Sequence, residues 1–195
     1  MHFKARLTMC VAAMLTVCSA RAEYLVSDGR GFTAPGEVIN NEVIPLAAST
    51  TLQEMWIAYQ RAIDESDFKR IVTLFSECAD DGNGYCQYFL GQGVFEWHLR
   101  IDAPRPSVEY GPRFVRNMLR RSYKAAETKP LVATSWRTFY LFGYMGFPRD
   151  EELASCWVGV AIATVDVHGP EFRRLEDKCR SLEQRKFGGA SWLSE

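Results

Sequence analysis

Histidine and carboxylate side chains limit the acid–base chemistry available to this chain. Beyond residue 22 there are two histidines, His98 at the end of an apolar segment and His168 in a turn. Neither accompanies a Ser or Cys in the nucleophile motif that an acyl-transfer triad needs. The adjacent acids Glu151 and Glu152 fit the first turn of a helix, which commonly recruits acids. A Gly-rich phosphate loop and an HExxH motif are also absent, so the sequence predicts no catalytic residue, no metal ligand and no cofactor.

Four cysteines follow residue 22, and their spacing favours disulfides between neighbouring helices. Four cysteines permit three pairings. Cys78 and Cys86 lie equally far on either side of a DDGNG segment, which is a strong turn signal. The midpoint between Cys156 and Cys179 falls just ahead of a Gly-Pro turn. Residues equidistant from a turn between antiparallel helices lie at the same height, and a disulfide needs Cα atoms within about 7 Å.

The sequence therefore favours the pairs Cys78–Cys86 and Cys156–Cys179. A structural zinc site is the alternative use of the same four thiols. The C-x-x-C spacing typical of such sites is absent from the chain.

The first 22 residues have the three parts of a secretory signal peptide. A basic start that includes Lys4 and Arg6 precedes an apolar run, and Ala20 and Ala22 provide the small residues of a cleavage site. The apolar run, about 12 residues, is too short to span a bilayer, which needs ~20. We expect cleavage near Ala22 and a periplasmic or secreted protein without stable membrane insertion. Export to an oxidising compartment also favours disulfides over free thiols.

Composition and charge are those of an ordinary globular domain. The chain is 47% hydrophobic and 24% charged, and its formal net charge is −1. This balance gives no reason to expect nucleic acid or an anionic membrane as a partner.

Apolar residues recur at helical spacing from Thr51 onward. Thr51 and Glu54 form a capping box, Ser66 is positioned to cap a second helix, and Asp150 a sixth. Further helices are predicted from about Tyr85 and over 114–127 and 131–144, with a seventh from Pro170. The segment 100–112 contains three prolines and must form a loop. Residues 158–167 are the least helical part of the pattern because several are β-branched.

The predicted layout is a signal peptide at 1–22, an extended lead-in at 23–49, a helical domain at 50–188 and a C-terminal tail at 189–195. The helical domain contains two repeated phrases, which combine Leu-Gly or Phe-Gly with Gly-rich turns and later Ala, Trp or Lys-Ala-Ala residues. They are Leu90-Gly91, Gly93 and Lys124-Ala125-Ala126 in one unit, and Gly143, Gly146, Ala154 and Trp157 in the next.

These phrases resemble the Sel-one-like repeats, which are short relatives of tetratricopeptide repeats. The likeness is greatest to the cysteine-rich secreted bacterial members, in which a Cys closing one repeat pairs with a Cys opening the next. Residues 78–86 match that bridge in spacing and composition. The resemblance implies an all-α fold of stacked antiparallel helical hairpins, stapled by disulfides. The loop at 100–112 is foreign to a regular repeat, and the second unit lacks a Lys-Ala-Ala end.

Basic side chains on the fourth predicted helix are the candidate partner-binding residues. Arginine binds carboxylates bidentately, so these residues suit an acidic partner, and an aromatic side chain in the preceding loop would act as an anchor. The candidates are Arg116, Arg120, Arg121, Lys124 and Tyr110. A solvated helix face is the alternative, because exposed basic faces are common.

The expected function is binding of another protein. Resemblance to the Sel-one-like family implies an adaptor or inhibitor role, and exported bacterial members include immunity proteins that neutralise effector toxins delivered to the periplasm. The first alternative is an envelope protein that binds or slowly hydrolyses cell-wall material or β-lactams. The second is a structural brace for an envelope complex.

Overall fold

The computed structural model describes residues 50–188 and, before them, Val38–Ile39, Glu42–Val43 and residues 45–46. The expected signal peptide, most of the lead-in and the tail at 189–195 lie outside the described residues. Seven α-helices follow in sequence: α1 (Leu52–Asp64), α2 (Phe68–Asp80), α3 (Gly84–Leu99), α4 (Pro112–Ser122), α5 (Lys129–Phe142), α6 (Glu151–Ala161) and α7 (Pro170–Phe187). The predicted helical class is confirmed.

Short elements occupy the connections and the lead-in. Strands β1 (Val38–Ile39) and β2 (Glu42–Val43) form a two-stranded antiparallel sheet. Single 3₁₀ turns lie at Val108–Tyr110, Ala126–Thr128 and Tyr144–Gly146. None of the described helices is both long enough and apolar enough to span a membrane.

The first two interhelical turns share one construction. After α1, Ser66 has a left-handed φ of 55°, and the backbone N–H groups of Ser66 and Asp67 bond to the carbonyls of Ile63 and Ala62. This is the Schellman arrangement, which satisfies the last carbonyls of a helix. After α2, Gly82 has the left-handed φ, and the next residue along the chain again caps the following helix.

The expected cap at Ser66 is therefore wrong by one residue. Ser66 ends α1, and the side chain of Asp67 accepts the N–H of Arg70 at 3.1 Å to begin α2. The other predicted caps are confirmed: Thr51 and Glu54 form the capping box of α1, and Asp150 accepts the N–H of Leu153 at the start of α6.

Helix α4 ends at Ser122 and not near Glu127 as the sequence predicted. The hydroxyl of Thr128 donates to the carbonyl of Ser122, which a longer helix would pair with the N–H of Ala126. The chain then tightens into the 3₁₀ turn at Ala126–Thr128. The Lys-Ala-Ala phrase of the first repeat unit thus falls after α4 and not on it.

Both disulfides form as the spacing predicted. Cys78 of α2 bonds to Cys86 of α3, with a Cα–Cα distance of 5.9 Å. Cys156 of α6 bonds to Cys179 of α7 at 5.6 Å. Each bond links two successive helices across their connecting turn. Both interhelical turns therefore lie within a covalently closed loop.

The core runs between successive helices and is rich in aromatic rings. The pairs α2–α3, α3–α4 and α5–α6 pack most extensively, and α3 also contacts α1 and α5. Trp136 of α5 and Trp157 of α6 are almost completely buried, and their ring centroids are 4.8 Å apart. Leu46, which the sequence assigned to the lead-in, is also buried, and its N–H donates to the carbonyl of Leu74 in α2.

Buried polar contacts hold α7 against α5. Lys129 at the start of α5 pairs with Glu176 at 2.8 Å, and Arg180 also bonds to Glu176. Two turns further along α7, the buried Tyr140 hydroxyl donates to Glu183 at 2.5 Å. Each buried acid thus has a donor from a neighbouring helix, as the desolvation of a carboxylate requires.

Candidate protein-binding surface

The loop between α3 and α4 is pinned to the end of α3 by two hydrogen bonds. The indole N–H of Trp97 donates to the carbonyl of Pro104 at 2.6 Å. Nε2 of His98 lies 2.7 Å from the carbonyl of Tyr110. Because a carbonyl oxygen only accepts, Nε2 carries the hydrogen. Successive side chains of one helix thus fix two points of the loop, six residues apart in sequence.

A column of aromatic rings, formed by Phe68, Trp97, Tyr110 and Phe114, packs against the same loop. Phe68 of α2 stacks on Trp97 with centroids 5.8 Å apart, and Tyr110 lies 6.3 Å from Trp97 and 5.2 Å from Phe114. Such ring contacts stabilise beyond their buried area. Tyr110, predicted as an anchor for a partner, is therefore partly buried within this column and supports the loop.

Two apolar side chains of the loop point fully into solvent. Ile101 has 101% of its reference surface exposed, and Val108 has 98%. Isolated apolar residues are ordinary on surfaces, but fully exposed ones on a pinned, proline-containing loop are not explained by packing. We define the loop surface as residues 100–110, with Ile101 and Val108 as its exposed apolar residues.

An open cavity of about 490 Å³ lies beside the loop surface. Its charged and titratable lining side chains are His98, Arg100 and Arg105, and Leu99, Ile101 and Pro106 provide apolar walls. No carboxylate lines it among the described residues, since Asp102 of the same loop is not part of the wall. The arrangement attracts an anionic group that has an apolar neighbour.

The predicted basic residues of α4 are divided between structure and solvent. Arg116 donates to the carbonyl of Met145, so it holds the turn after α5. Arg121 donates to the carbonyl of Ala79 at 2.8 Å and lies 3.5 Å from Asp80, where it stabilises the C-terminus of α2.

The remaining cations of this group make no contact with another helix that the structure shows. Arg120 bonds to Asn117 within its own helix, and Lys124 is exposed beyond the end of α4. The structure therefore does not bring the four basic side chains into one free cluster. Their role in binding stays a prediction.

A hydrogen-bonded row of polar side chains crosses α1, α3 and α5. The Tyr59 hydroxyl donates to Glu96 at 2.8 Å, Gln92 donates to the same carboxylate at 3.3 Å, and Ser135 donates to Gln92 at 2.9 Å. Burial raises the pKa of the Glu96 carboxyl, although the hydrogen bonds from Tyr59 and Gln92 and the charge of Arg100 oppose the rise. This row positions three helices and presents no nucleophile.

The described residues contain no arrangement suited to metal binding, since no three His, Cys, Asp or Glu side chains group there. His98 is held by the loop, and His168 is exposed in the turn before α7. These two histidines therefore lie far apart in sequence, one at the end of α3 and one in a turn, and share no partner among the described residues.

Sequence reasoning missed the residues that form the cavity and the loop surface. It identified the segment as an insertion and a loop but assigned no role to Arg100, Ile101, Arg105 or Val108. A usable signal was present, because apolar and basic residues alternate with prolines where a plain connection would be polar throughout.

No family model, curated protein or solved structure matches the chain. The functional argument therefore rests on the contacts, exposure and charge of the described residues. Membership of the Sel-one-like family stays a prediction.

Proposed function

We propose that the mature protein is an exported helical-repeat module that binds another protein through its loop surface. The observation that carries this proposal is the exposure of Ile101 and Val108 on a loop whose backbone is fixed by Trp97 and His98. A fixed loop loses little conformational entropy when a partner binds. Burying two exposed apolar side chains supplies a favourable hydrophobic contribution.

The repeat architecture belongs to this proposal. In this proposal, α1 with α2, α3 with α4, and α5 with α6 are the successive antiparallel hairpins, and α7 packs against α6. Gly91 of the Leu-Gly phrase lies at the close contact between α3 and α4, as a packing glycine of such a hairpin would. In a hairpin stack, connecting loops change without disturbing the core, which suits them to partner recognition.

Periplasmic location and an immunity role are the specific form of the proposal. Two disulfides favour an oxidising compartment, and the signal-peptide pattern supports export. An inhibitor of an effector toxin needs a rigid contact surface and no catalytic group of its own. The loop surface and the absence of a catalytic motif both agree with that role.

Chemical cross-linking of the tagged protein in intact cells, followed by mass spectrometry, tests the proposal. We expect a discrete partner for the wild type and its loss from the double variant Ile101→Asp, Val108→Asp. The matched control is Ile162→Asp, which alters an exposed apolar residue (71% exposed) in the turn after α6. This control should retain the partner.

The immunity role has its own readout. Production of the identified partner in the periplasm should arrest growth, and co-production of the wild-type protein should restore it, whereas the loop double variant should not. A partner recovered equally by the wild type and the loop double variant would refute the loop surface as the contact. A thermal shift caused by β-lactams or wall fragments, without any protein partner, would instead favour the envelope alternative.

A further inference from the structure

We propose that the cavity beside the loop surface is a carboxylate-binding pocket for an acidic peptide segment of the partner, in which an Asp or Glu is followed by an apolar residue. This inference rests on the proposed protein-binding function and specifies the chemistry recognised. Two guanidinium groups and one imidazole line the cavity next to apolar walls.

The arginines of the cavity form no close ion pair of their own. Neither Arg100 nor Arg105 forms an ion pair or a side-chain hydrogen bond among the described residues, and Arg100 acts only through its charge on the buried carboxyl of Glu96. Three other arginines, Arg121, Arg149 and Arg180, each pair with an acid. Guanidinium groups bind carboxylates through two parallel hydrogen bonds. An acidic side chain entering the cavity would therefore meet cations that require no exchange of an existing ion pair.

The imidazole of His98 fixes the loop beside the cavity and leaves the acid to the arginines. Its Nε2–H is committed to the carbonyl of Tyr110, so Nδ1 of this tautomer is an acceptor and offers no hydrogen to a carboxylate. Ile101 provides both a wall of the cavity and a fully exposed apolar side chain. A peptide that places its acidic side chain in the cavity would cover Ile101 with its next, apolar residue. One peptide would then contact both the arginines and the exposed apolar side chain.

Titration with a short blocked peptide tests the pocket without the natural partner. The probe is acetyl-Leu-Glu-Leu-Asp-Leu-amide, and its uncharged counterpart contains Gln and Asn in place of the acids. Binding is followed by NMR at the indole N–H of Trp97, which lines the cavity. We expect the acidic peptide to shift this resonance and the uncharged peptide to leave it unchanged.

Variants of the cavity then assign the contact. Arg100→Gln and Arg105→Gln should each lower the affinity for the acidic peptide by roughly tenfold. This is the effect expected when a charge-assisted hydrogen-bond pair is lost. Arg173→Gln, on the exposed surface of α7, is the matched control and should bind as the wild type does. Equal affinity for the acidic and the uncharged peptide would overturn the proposed pocket. So would an unchanged affinity for the acidic peptide in both cavity variants.

The same variants separate this inference from the proposed function. If the cross-linked partner is retained by Arg100→Gln and Arg105→Gln but lost from the loop double variant, the pocket is wrong and the loop surface stands. If the peptide binds as expected but no protein partner is found in cells, the protein-binding function is wrong. Binding of a small carboxylated wall fragment in preference to the peptide would also overturn the assignment to a protein segment.

Discussion

At the scale of single residues, Glu96 shows how a hydrogen-bonded acid still opposes folding. Its carboxyl accepts hydrogen bonds from Tyr59 and Gln92, yet burial raises its pKa above the ordinary value of 4.5. A raised pKa means that the folded protein binds this proton more tightly than the unfolded chain does. Ionisation of Glu96 therefore lowers stability as pH rises from the unfolded pKa through the folded one.

Replacement of Glu96 by Gln should remove this pH-dependent loss. Near pH 4 the variant and the wild type should have similar Tm values, because the carboxyl is largely protonated in both folded and unfolded states. The Tm of Glu96→Gln should then rise relative to the wild type as pH increases toward 8, as measured by circular dichroism. Tyr59→Phe removes a hydrogen bond to the charged form and should lose more stability at pH 8 than at pH 4. A difference between Glu96→Gln and wild type that does not vary with pH would contradict the argument.

At the scale of elements, two glycines of α3 lie where neighbouring helices pack closely against it. A Cβ atom added at Gly93 would lie 2.6 Å from Cγ2 of Ile71 in α2, and one at Gly91 would lie 3.0 Å from Cβ of Met118 in α4. Two residues apart on a helix face nearly opposite directions. The two glycines therefore let α2 and α4 pack on opposite sides of α3.

Gly93→Ala should accordingly destabilise the protein by roughly 1 kcal/mol or more, because overpacking in a full core outweighs the better helix propensity of Ala. The matched control is Gly159→Ala in α6, where an added Cβ meets nothing within 4 Å. That change should raise stability by up to about 1 kcal/mol through helix propensity alone. Urea unfolding measures both changes, and a loss of stability in both variants would show that close packing is not the cause.

Helix positions were predictable from the sequence, but some ends were not. Capping at Thr51 and Asp150 follows from local chemistry, and so does the start of α7 at Pro170. The end of α4 depends on the hydroxyl of Thr128, which takes a carbonyl that a longer helix would have used. The left-handed φ of Ser66 depends on the tight turn between α1 and α2, and hydrophobic periodicity does not reveal that turn.

The candidate site was less predictable than the fold, for a physical reason. Arg116 and Arg121 have the spacing of a free basic face, but their long side chains reach carbonyls of other elements. Leu52 and Trp56 are at helical spacing with the buried Met55 and Tyr59 of α1, yet they are 44% and 42% exposed, because α1 has fewer neighbours than α3. Helical spacing indicates which side of a helix a residue occupies, whereas the contacts on that side depend on the tertiary arrangement.

At the scale of the whole molecule, Leu46, one of the described residues of the lead-in, belongs to the core of the helical domain. Leu46 is 2% exposed, and its backbone N–H bonds to Leu74 in α2. The short strand β2 also contacts α2. The lead-in thus contributes to the core through an apolar side chain, although it lacks helical periodicity.

Leu46→Ala should cost about 2–4 kcal/mol, since it removes a buried side chain and leaves a cavity. The matched control is Leu52→Ala at the exposed start of α1, which should cost less than about 1 kcal/mol. The free energy of unfolding in urea provides the comparison. Equal losses in the two variants would show that Leu46 adds no more to the core than a half-exposed residue.

The bond between Cys156 and Cys179 encloses the irregular connection from Ile162 to Gly169. Backbone scission anywhere in that connection would leave α7 tethered to the rest of the chain. The nicked product would migrate as one band on a gel without reductant and as two bands with it. A protease that cuts this connection once would therefore release no fragment, and the loop surface would keep its hydrogen bonds to Trp97 and His98.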